Sequence, residues 1–127
     1  MPMTSGSSLE PLRILGLLLV ALTLGGGQLL FKLAAERLVV GHGPVALLAS
    51  FISRPMFAAL ALYALATVLW VYLLHGLALS RAYPFIALAF ALVPMLAWLM
   101  LGETLGVQYW LGLAVMLTGL YIISMSL

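Results

Sequence analysis

The chain of 127 residues is 66% hydrophobic, and only 6% of its residues are Asp, Glu, Lys or Arg. Soluble domains carry about 25% charged residues, so this chain lacks the polar side chains that a water-exposed surface needs. The composition therefore indicates an integral membrane protein and excludes a water-soluble domain. The formal net charge of +2 rests on five cations and three acids, which are too few to indicate a nucleic-acid partner.

Cysteine is absent from the sequence, which excludes disulfides, thiolate metal sites and a cysteine nucleophile. The two histidines, His42 and His75, are too far apart in the chain to suggest a metal site. No pair of acids, and no nucleophile with a base, occurs at a spacing that favours an enzyme. We therefore expect no catalytic residues, no metal and no cofactor.

Four long apolar runs predict an all-α membrane protein, with four transmembrane helices in a compact antiparallel bundle. The predicted spans are residues 14–31, 56–77, 83–101 and 107–126. The first run is longer than a signal-peptide core and is followed by no small-residue cleavage site, so we expect it to be retained. Residues 44–53 are too few to cross a bilayer and predict an interfacial segment within a single domain, residues 12–127. Residues 1–11 are expected to be disordered.

Short polar breaks join the last three spans. Ser80 and Arg81, followed by Tyr83 and Pro84, predict a tight turn between the second and third spans. Gly102, Glu103 and Thr104 predict another turn before the fourth span. This topology places two cations at the N-terminal face of the bundle and three at the other face, a bias too small to fix the orientation. They are Arg13 and Arg81 at the first face, and Lys32, Arg37 and Arg54 at the second.

Residues three and four apart share a helix face, so the first span places Ala21, Gly25, Gln28 and Lys32 in one stripe. In lipid the Gln28 amide needs a partner, which is either another helix or a ligand. Lys32 either extends to the lipid head groups or contacts an anionic substrate. The stripe therefore predicts an interhelical contact or the wall of a substrate path. Consecutive glycines at 25–27 allow another helix to approach closely.

Aromatic and small side chains share faces of the second and third spans. One face of the second span carries Tyr63, Thr67 and Trp70; one face of the third carries Tyr83, Ala87, Ala91, Pro94 and Trp98. Such faces line a cleft for a lipid or a sugar, or they form the interfacial aromatic belt and pack against other helices. Pro94 lacks the amide that would bond to the Phe90 carbonyl, so it predicts a kink, either beside a cavity or satisfied by a neighbouring helix.

The fourth span carries Gly112, Gly119 and Ser126 at a spacing of seven residues. Small residues in a row allow close helix packing, and we predict that this seam faces a second subunit. Packing within the bundle is the alternative. Glu103 lies in the turn before this span, where it either rests in the interface near the positive end of the helix dipole or contacts Lys32 or Arg54.

The segments GGGQLLFK, LSRAYPFIALAF and LGETLGVQYWLGLAVMLTGLYII resemble the small four-helix members of the drug/metabolite transporter superfamily. Within it, the chain from residue 12 onward is most similar to the subunits of the undecaprenyl-phosphate-aminoarabinose flippase, which are relatives of the small multidrug resistance exporters. The resemblance implies a multi-pass subunit of the bacterial inner membrane that forms a homodimer, or a heterodimer with a similar four-helix subunit. The small multidrug exporters share a glutamate in their first span, and this chain has Leu24 at the matching position.

We therefore expect a transporter that flips a polyprenyl-phosphate-linked sugar between leaflets for modification of lipid A or another surface glycan. Cations near the interfaces would bind the phosphate, and polar and aromatic side chains would contact the sugar. The candidate substrate-binding residues are Gln28, Lys32, Tyr63, Trp70, Arg81, Tyr83 and Glu103. The alternatives are an exporter of a drug or metabolite and a non-transporting accessory subunit that stabilises a partner.

Overall fold

A computed structural model describes residues 11–126, and the regular structure of that part is entirely helical. The helices are α1 (Pro11–Ala35), α2 (Pro44–Ser50), α3 (Arg54–Leu74), α4 (Leu79–Ala87), α5 (Ala89–Met100) and α6 (Val107–Ser124). Within residues 11–126, four apolar stretches are long enough to cross a membrane, namely α1, α3, α4 together with α5, and α6. The predicted all-α class with four membrane helices is therefore confirmed. Residues 1–10, most of the stretch predicted to be disordered, lie outside the described residues.

Helix α1 lies at the centre of the bundle, where it packs most extensively on α3 and also contacts α4 and α5. The apolar core forms between α1, α3 and α4. Leu17 and Val20 of α1 are buried there against Ala66 and Leu73 of α3 and Ala82 of α4. Most other large apolar side chains are exposed on the outside of the bundle. A bilayer solvates such side chains as well as a protein core does, so this thin core is sufficient in lipid.

Two of the three consecutive glycines in α1 allow neighbouring helices to approach. A Cβ atom at Gly25 would lie 2.7 Å from Leu92 Cδ2 of α5, and one at Gly27 would lie 2.5 Å from Tyr63 Cε2 of α3. By contrast, a Cβ at Gly26 would have no neighbour within 4 Å. Gly25 therefore admits α5 and Gly27 admits α3, whereas Gly26 faces open space.

Arg13 joins the start of α1 to the end of α3. Its Nη1 atom donates hydrogen bonds to the carbonyl oxygens of Leu73 and His75, at 3.3 and 3.1 Å. Carbonyl groups at a helix C-terminus lack helical partners and carry the negative end of the helix dipole, so a guanidinium stabilises them. These hydrogen bonds therefore hold the start of α1 against the end of α3.

The turn between the second and third spans lies earlier than the sequence predicts. α3 ends at Leu74 and α4 already begins at Leu79. Gly76 makes this short turn possible with a φ angle of +76°, a conformation that residues with a Cβ rarely adopt. Arg81 and Pro84 therefore lie inside α4 rather than in the turn.

The third span is interrupted at Leu88, which separates α4 from α5. The N–H group of Leu88 donates to the carbonyl of Phe85, at 3.2 Å, in the tighter spacing of a 3₁₀ turn. α5 then continues through Pro94, and the kink expected at Pro94 stays a prediction. Leu88 keeps helical backbone angles, with φ −58° and ψ −26°, so the interruption is a single residue. The predicted face from Tyr83 to Trp98 stays a prediction.

Helix α6 packs at the edge of the bundle. It contacts α4, and its Trp110 ring packs edge to face on Trp98 of α5 with the ring centroids 5.4 Å apart. Most of its side chains are exposed. A Cβ atom at Gly112 or Gly119 would have no neighbour within 4 Å. Within the described chain, no helix therefore covers the predicted small-residue seam.

Candidate substrate site

A cavity of about 370 Å³ opens between α1 and α5, toward the C-terminal ends of both helices. The α1 stripe predicted from the sequence forms one wall, through Gly25, Gln28 and Lys32. The opposite wall belongs to α5 and to the turn that follows it, where Glu103 lies. Three of the predicted site residues, Gln28, Lys32 and Glu103, therefore line the same cavity.

The Gln28 side chain is held by a residue of α3. Its Nε2 group donates a hydrogen bond to the Tyr63 hydroxyl group. The Tyr63 ring also packs on Phe31, with the ring centroids 5.0 Å apart. One amide N–H is used in this way, which leaves the second N–H and the carbonyl oxygen available for a ligand. Gln28 thus makes an interhelical contact and also lines the cavity, and its role in a substrate path stays a prediction.

The two charges on the cavity come from different elements. Lys32 lies in the last turn of α1, and Glu103 lies in the turn after α5. Gly102 ends that helix with a φ angle of +69°, and the Glu103 N–H group donates to the Ala97 carbonyl at 3.2 Å. Among residues 11–126, Lys32 and Glu103 form no ion pair with each other. Both charges are exposed and face a shared space.

A second, smaller cavity of about 200 Å³ lies between α1, α3 and α4. Trp70 and Tyr83 line it, and their rings meet edge to face with the centroids 6.4 Å apart. Leu24, at the position of the first-span acid in the small multidrug exporters, also lines this cavity. Trp70 and Tyr83, two of the predicted site residues, therefore lie together, but apart from Lys32 and Glu103.

Arg81 does not join either group of site residues. It lies in the first turn of α4, at the end of the bundle that also carries Arg13, and it lines neither cavity. Trp98 is also directed elsewhere, because it packs on Trp110 of α6. The α5 residues that line the larger cavity are instead Val93, Leu96 and Ala97.

Two residues of this region, Phe31 and Gly27, were not identified from the sequence, and neither was the contact of Arg13 at the opposite end of the bundle. Phe31 follows Gln28 by three residues, a spacing that shares a helix face and could have indicated its position. Gly27 could not be distinguished from its two glycine neighbours, since all three are equally compatible with close packing. Arg13 was assigned only to the boundary of the first span, and no local pattern indicates its contact with the end of α3.

The chain aligns over most of its length with curated membrane proteins. It is 35% identical over 111 residues to the Yersinia pestis (strain Pestoides F) protein named "Probable 4-amino-4-deoxy-L-arabinose-phosphoundecaprenol flippase subunit ArnE", covering 87% of this chain and 95% of that protein. The chain belongs to the ArnE flippase subunit family. A Salmonella paratyphi C (strain RKS4594) protein of the same name is 33% identical over 110 residues, covering 85% of this chain and 93% of that protein.

Membership of the ArnE family confirms the resemblance identified from the sequence. It assigns the chain to multi-pass membrane transport subunits rather than to enzymes, in agreement with the four apolar helices. The word subunit in the names of these relatives implies a partner subunit. No family model matches the chain, and no solved structure matches it.

Proposed function

We propose that this chain is one subunit of a bacterial inner-membrane flippase that moves a polyprenyl-phosphate-linked amino sugar, similar to aminoarabinose, between leaflets. Such transport would supply the modification of lipid A or of another surface glycan. The observation that carries the proposal is the cavity between α1 and α5, which combines the Lys32 cation, the Glu103 acid and the fixed Gln28 amide. The names of the ArnE relatives supply the class of lipid.

The size of the cavity suits a head group rather than a whole lipid. Its volume of about 370 Å³ lies at the lower end of the range for small-molecule sites. A sugar with its phosphate fits such a space, whereas a polyprenyl chain is far larger. The chain would stay in the bilayer beside the exposed apolar faces of the helices, where it needs no protein cavity.

The chemistry of the cavity also suits this head group. A lysine ammonium forms charge-assisted hydrogen bonds with phosphate oxygens, which are stronger than bonds between neutral groups. The unused N–H and carbonyl groups of Gln28 can bond to sugar hydroxyls. Export of cationic drugs in the manner of the small multidrug exporters is less well supported, because Leu24 leaves the smaller cavity without the acid that such export uses.

Transport can be tested in proteoliposomes that contain the chain alone or with a second four-helix subunit. The substrate would be a polyprenyl-phosphate amino sugar, and a membrane-impermeant amine-reactive reagent would report its arrival in the outer leaflet. We expect labelling to proceed faster than in protein-free liposomes. Labelling at the protein-free rate in both preparations would contradict the proposal. If deletion of the chain also lowered the abundance of a partner, the result would favour the accessory subunit.

We propose that the working unit is a homodimer, or a heterodimer with a similar four-helix subunit, assembled through the α6 seam. Gly112→Leu and Gly119→Leu are expected to weaken assembly, because leucine would separate helices that pack through glycine. A Cβ atom at either position would meet no atom of the described chain within 4 Å. Ala114→Leu is the matched control, because Ala114 is exposed on a different side of α6. Native mass spectrometry would report the assembly, and an unchanged oligomeric state in both glycine variants would contradict the seam.

A further inference from the structure

We propose that Lys32 and Glu103 act together to select a head group that carries both a phosphate and a protonated amine. This inference rests on the proposed function and deepens it, because it assigns the recognition of the amine to one residue. Lys32 would bind the phosphate, and Glu103 would bind the ammonium group. Glu103 would then be a specificity-determining residue of the flippase.

The first support is the arrangement of the charges. One cation and one acid line the same cavity of about 370 Å³, and the wall contributed by α5 is apolar. Lys32 and Glu103 are exposed and, within residues 11–126, do not neutralise each other as an ion pair. Each charge is therefore available to a ligand that occupies the space between them.

The second support is the way in which Glu103 is held. The left-handed Gly102 reverses the chain at the end of α5, and the Glu103 N–H group donates to the carbonyl of Ala97, which itself lines the cavity. The backbone that carries the carboxylate is thus fixed to the cavity wall. Lys32 approaches from α1 on a long flexible stem, so it can adjust to the position of a phosphate.

These charges discriminate between classes of head group. Glu103 would repel a head group that carries a phosphate but no cation. Lys32 would repel a head group that carries a cation but no anion. A head group with an amine and a phosphate at opposite ends satisfies both side chains. The lipid in the names of the ArnE relatives has these two groups, since its sugar is 4-amino-4-deoxy-L-arabinose joined through a phosphate. Phosphatidylethanolamine has the same two groups, so it is a second source of this chemistry.

The test compares two ligands on the full-length chain in phosphatidylcholine nanodiscs. One ligand is a short-chain polyprenyl-phosphate amino sugar, and the other is the same lipid with its amine acetylated, which removes the positive charge. We expect the wild-type chain to bind the free amine about five-fold more tightly, the upper range for an exposed ion pair. Glu103→Gln should abolish this preference without weakening the acetylated lipid. Glu36→Gln is the matched control, because Glu36 is exposed and lies outside the cavity, and it should keep the preference.

The outcomes separate the inference from the proposed function. If the wild-type chain binds both lipids equally, or if Glu103→Gln keeps the preference, selection by Glu103 is refuted while flipping of a lipid-linked sugar stands. If neither lipid binds to the wild-type chain, alone or together with a second four-helix subunit, the proposed function fails and the inference fails with it. A second arm replaces phosphatidylcholine by phosphatidylethanolamine. If phosphatidylethanolamine leaves binding of the amino-sugar lipid undiminished, the paired charges recognise the sugar lipid. If phosphatidylethanolamine competes with the amino-sugar lipid, and Glu103→Gln abolishes this competition, the paired charges recognise the phospholipid.

Discussion

Replacing Gly27 by alanine is expected to destabilise the chain by about 1–3 kcal/mol, the usual cost of an overpacked site. The added Cβ would lie 2.5 Å from Tyr63 Cε2 and 2.8 Å from Cδ2. These are atoms of a rigid ring, so the ring or the α3 backbone must move. Displacement of the ring also breaks the hydrogen bond from Gln28 to the Tyr63 hydroxyl group. We therefore expect loss of head-group binding in addition to a lower melting temperature.

The neighbouring glycines supply the controls for this prediction. Gly26→Ala adds the same atom in open space and should leave the melting temperature unchanged or slightly raised, because alanine favours a helix. Gly25→Ala should have an intermediate effect, since its closest contact, at 2.7 Å, is the flexible end of Leu92. Thermal unfolding in detergent and a lipid-binding assay measure both consequences. Equal melting temperatures for Gly26→Ala and Gly27→Ala would contradict the packing of Tyr63 on α1.

Lys32→Gln is expected to weaken binding of a polyprenyl-phosphate sugar by about ten-fold or more, because hydrogen bonds that involve a charged group are the strong ones. The free and the acetylated amino sugar should lose affinity equally, since both carry the phosphate. Binding to the wild-type chain should also weaken at high salt, and this dependence should decrease in the variant. Isothermal titration of the reconstituted chain with a short-chain lipid measures both effects.

Two other cations provide comparisons for Lys32. Arg37→Gln removes an exposed cation from the same membrane face but from outside the cavity, and should change the affinity little. Arg81→Gln removes a cation at the opposite end of the bundle and should also weaken binding less than Lys32→Gln does. The sequence alone had assigned both Lys32 and Arg81 to the substrate. If Lys32→Gln and Arg37→Gln weaken binding equally, the phosphate is held by the general charge of that face rather than by the cavity.

The fold was predictable because the bilayer imposes simple rules. Spanning segments must be long, apolar and helical, so composition and run length suffice to identify them. The helical spacing of Gly25, Gln28 and Lys32 likewise predicted one wall of the cavity, since residues on one regular helix keep their relative positions.

The remaining features depend on contacts between helices, which a helical spacing does not determine. Trp98 shares a predicted face with Tyr83, but Trp98 packs on Trp110 of α6, whereas Tyr83 packs on Trp70 of α3. The turn at Gly76 was also misplaced. The residues from Leu74 to Ala78 are mostly apolar and resemble the spans beside them, whereas Ser80 and Arg81 are the conspicuous polar residues. In a membrane, polarity marks the interface rather than the exact end of a helix.

The hydrogen bonds of Arg13 make the two ends of the bundle different. They tie the start of α1 to the end of α3, while the cavity with Lys32 and Glu103 lies between α1 and α5 at the other end. Any movement that separates the start of α1 from the end of α3 must break these hydrogen bonds. A hydrogen bond with a charged group contributes about 1.5–3 kcal/mol, so Arg13 opposes separation of the two helices at this end.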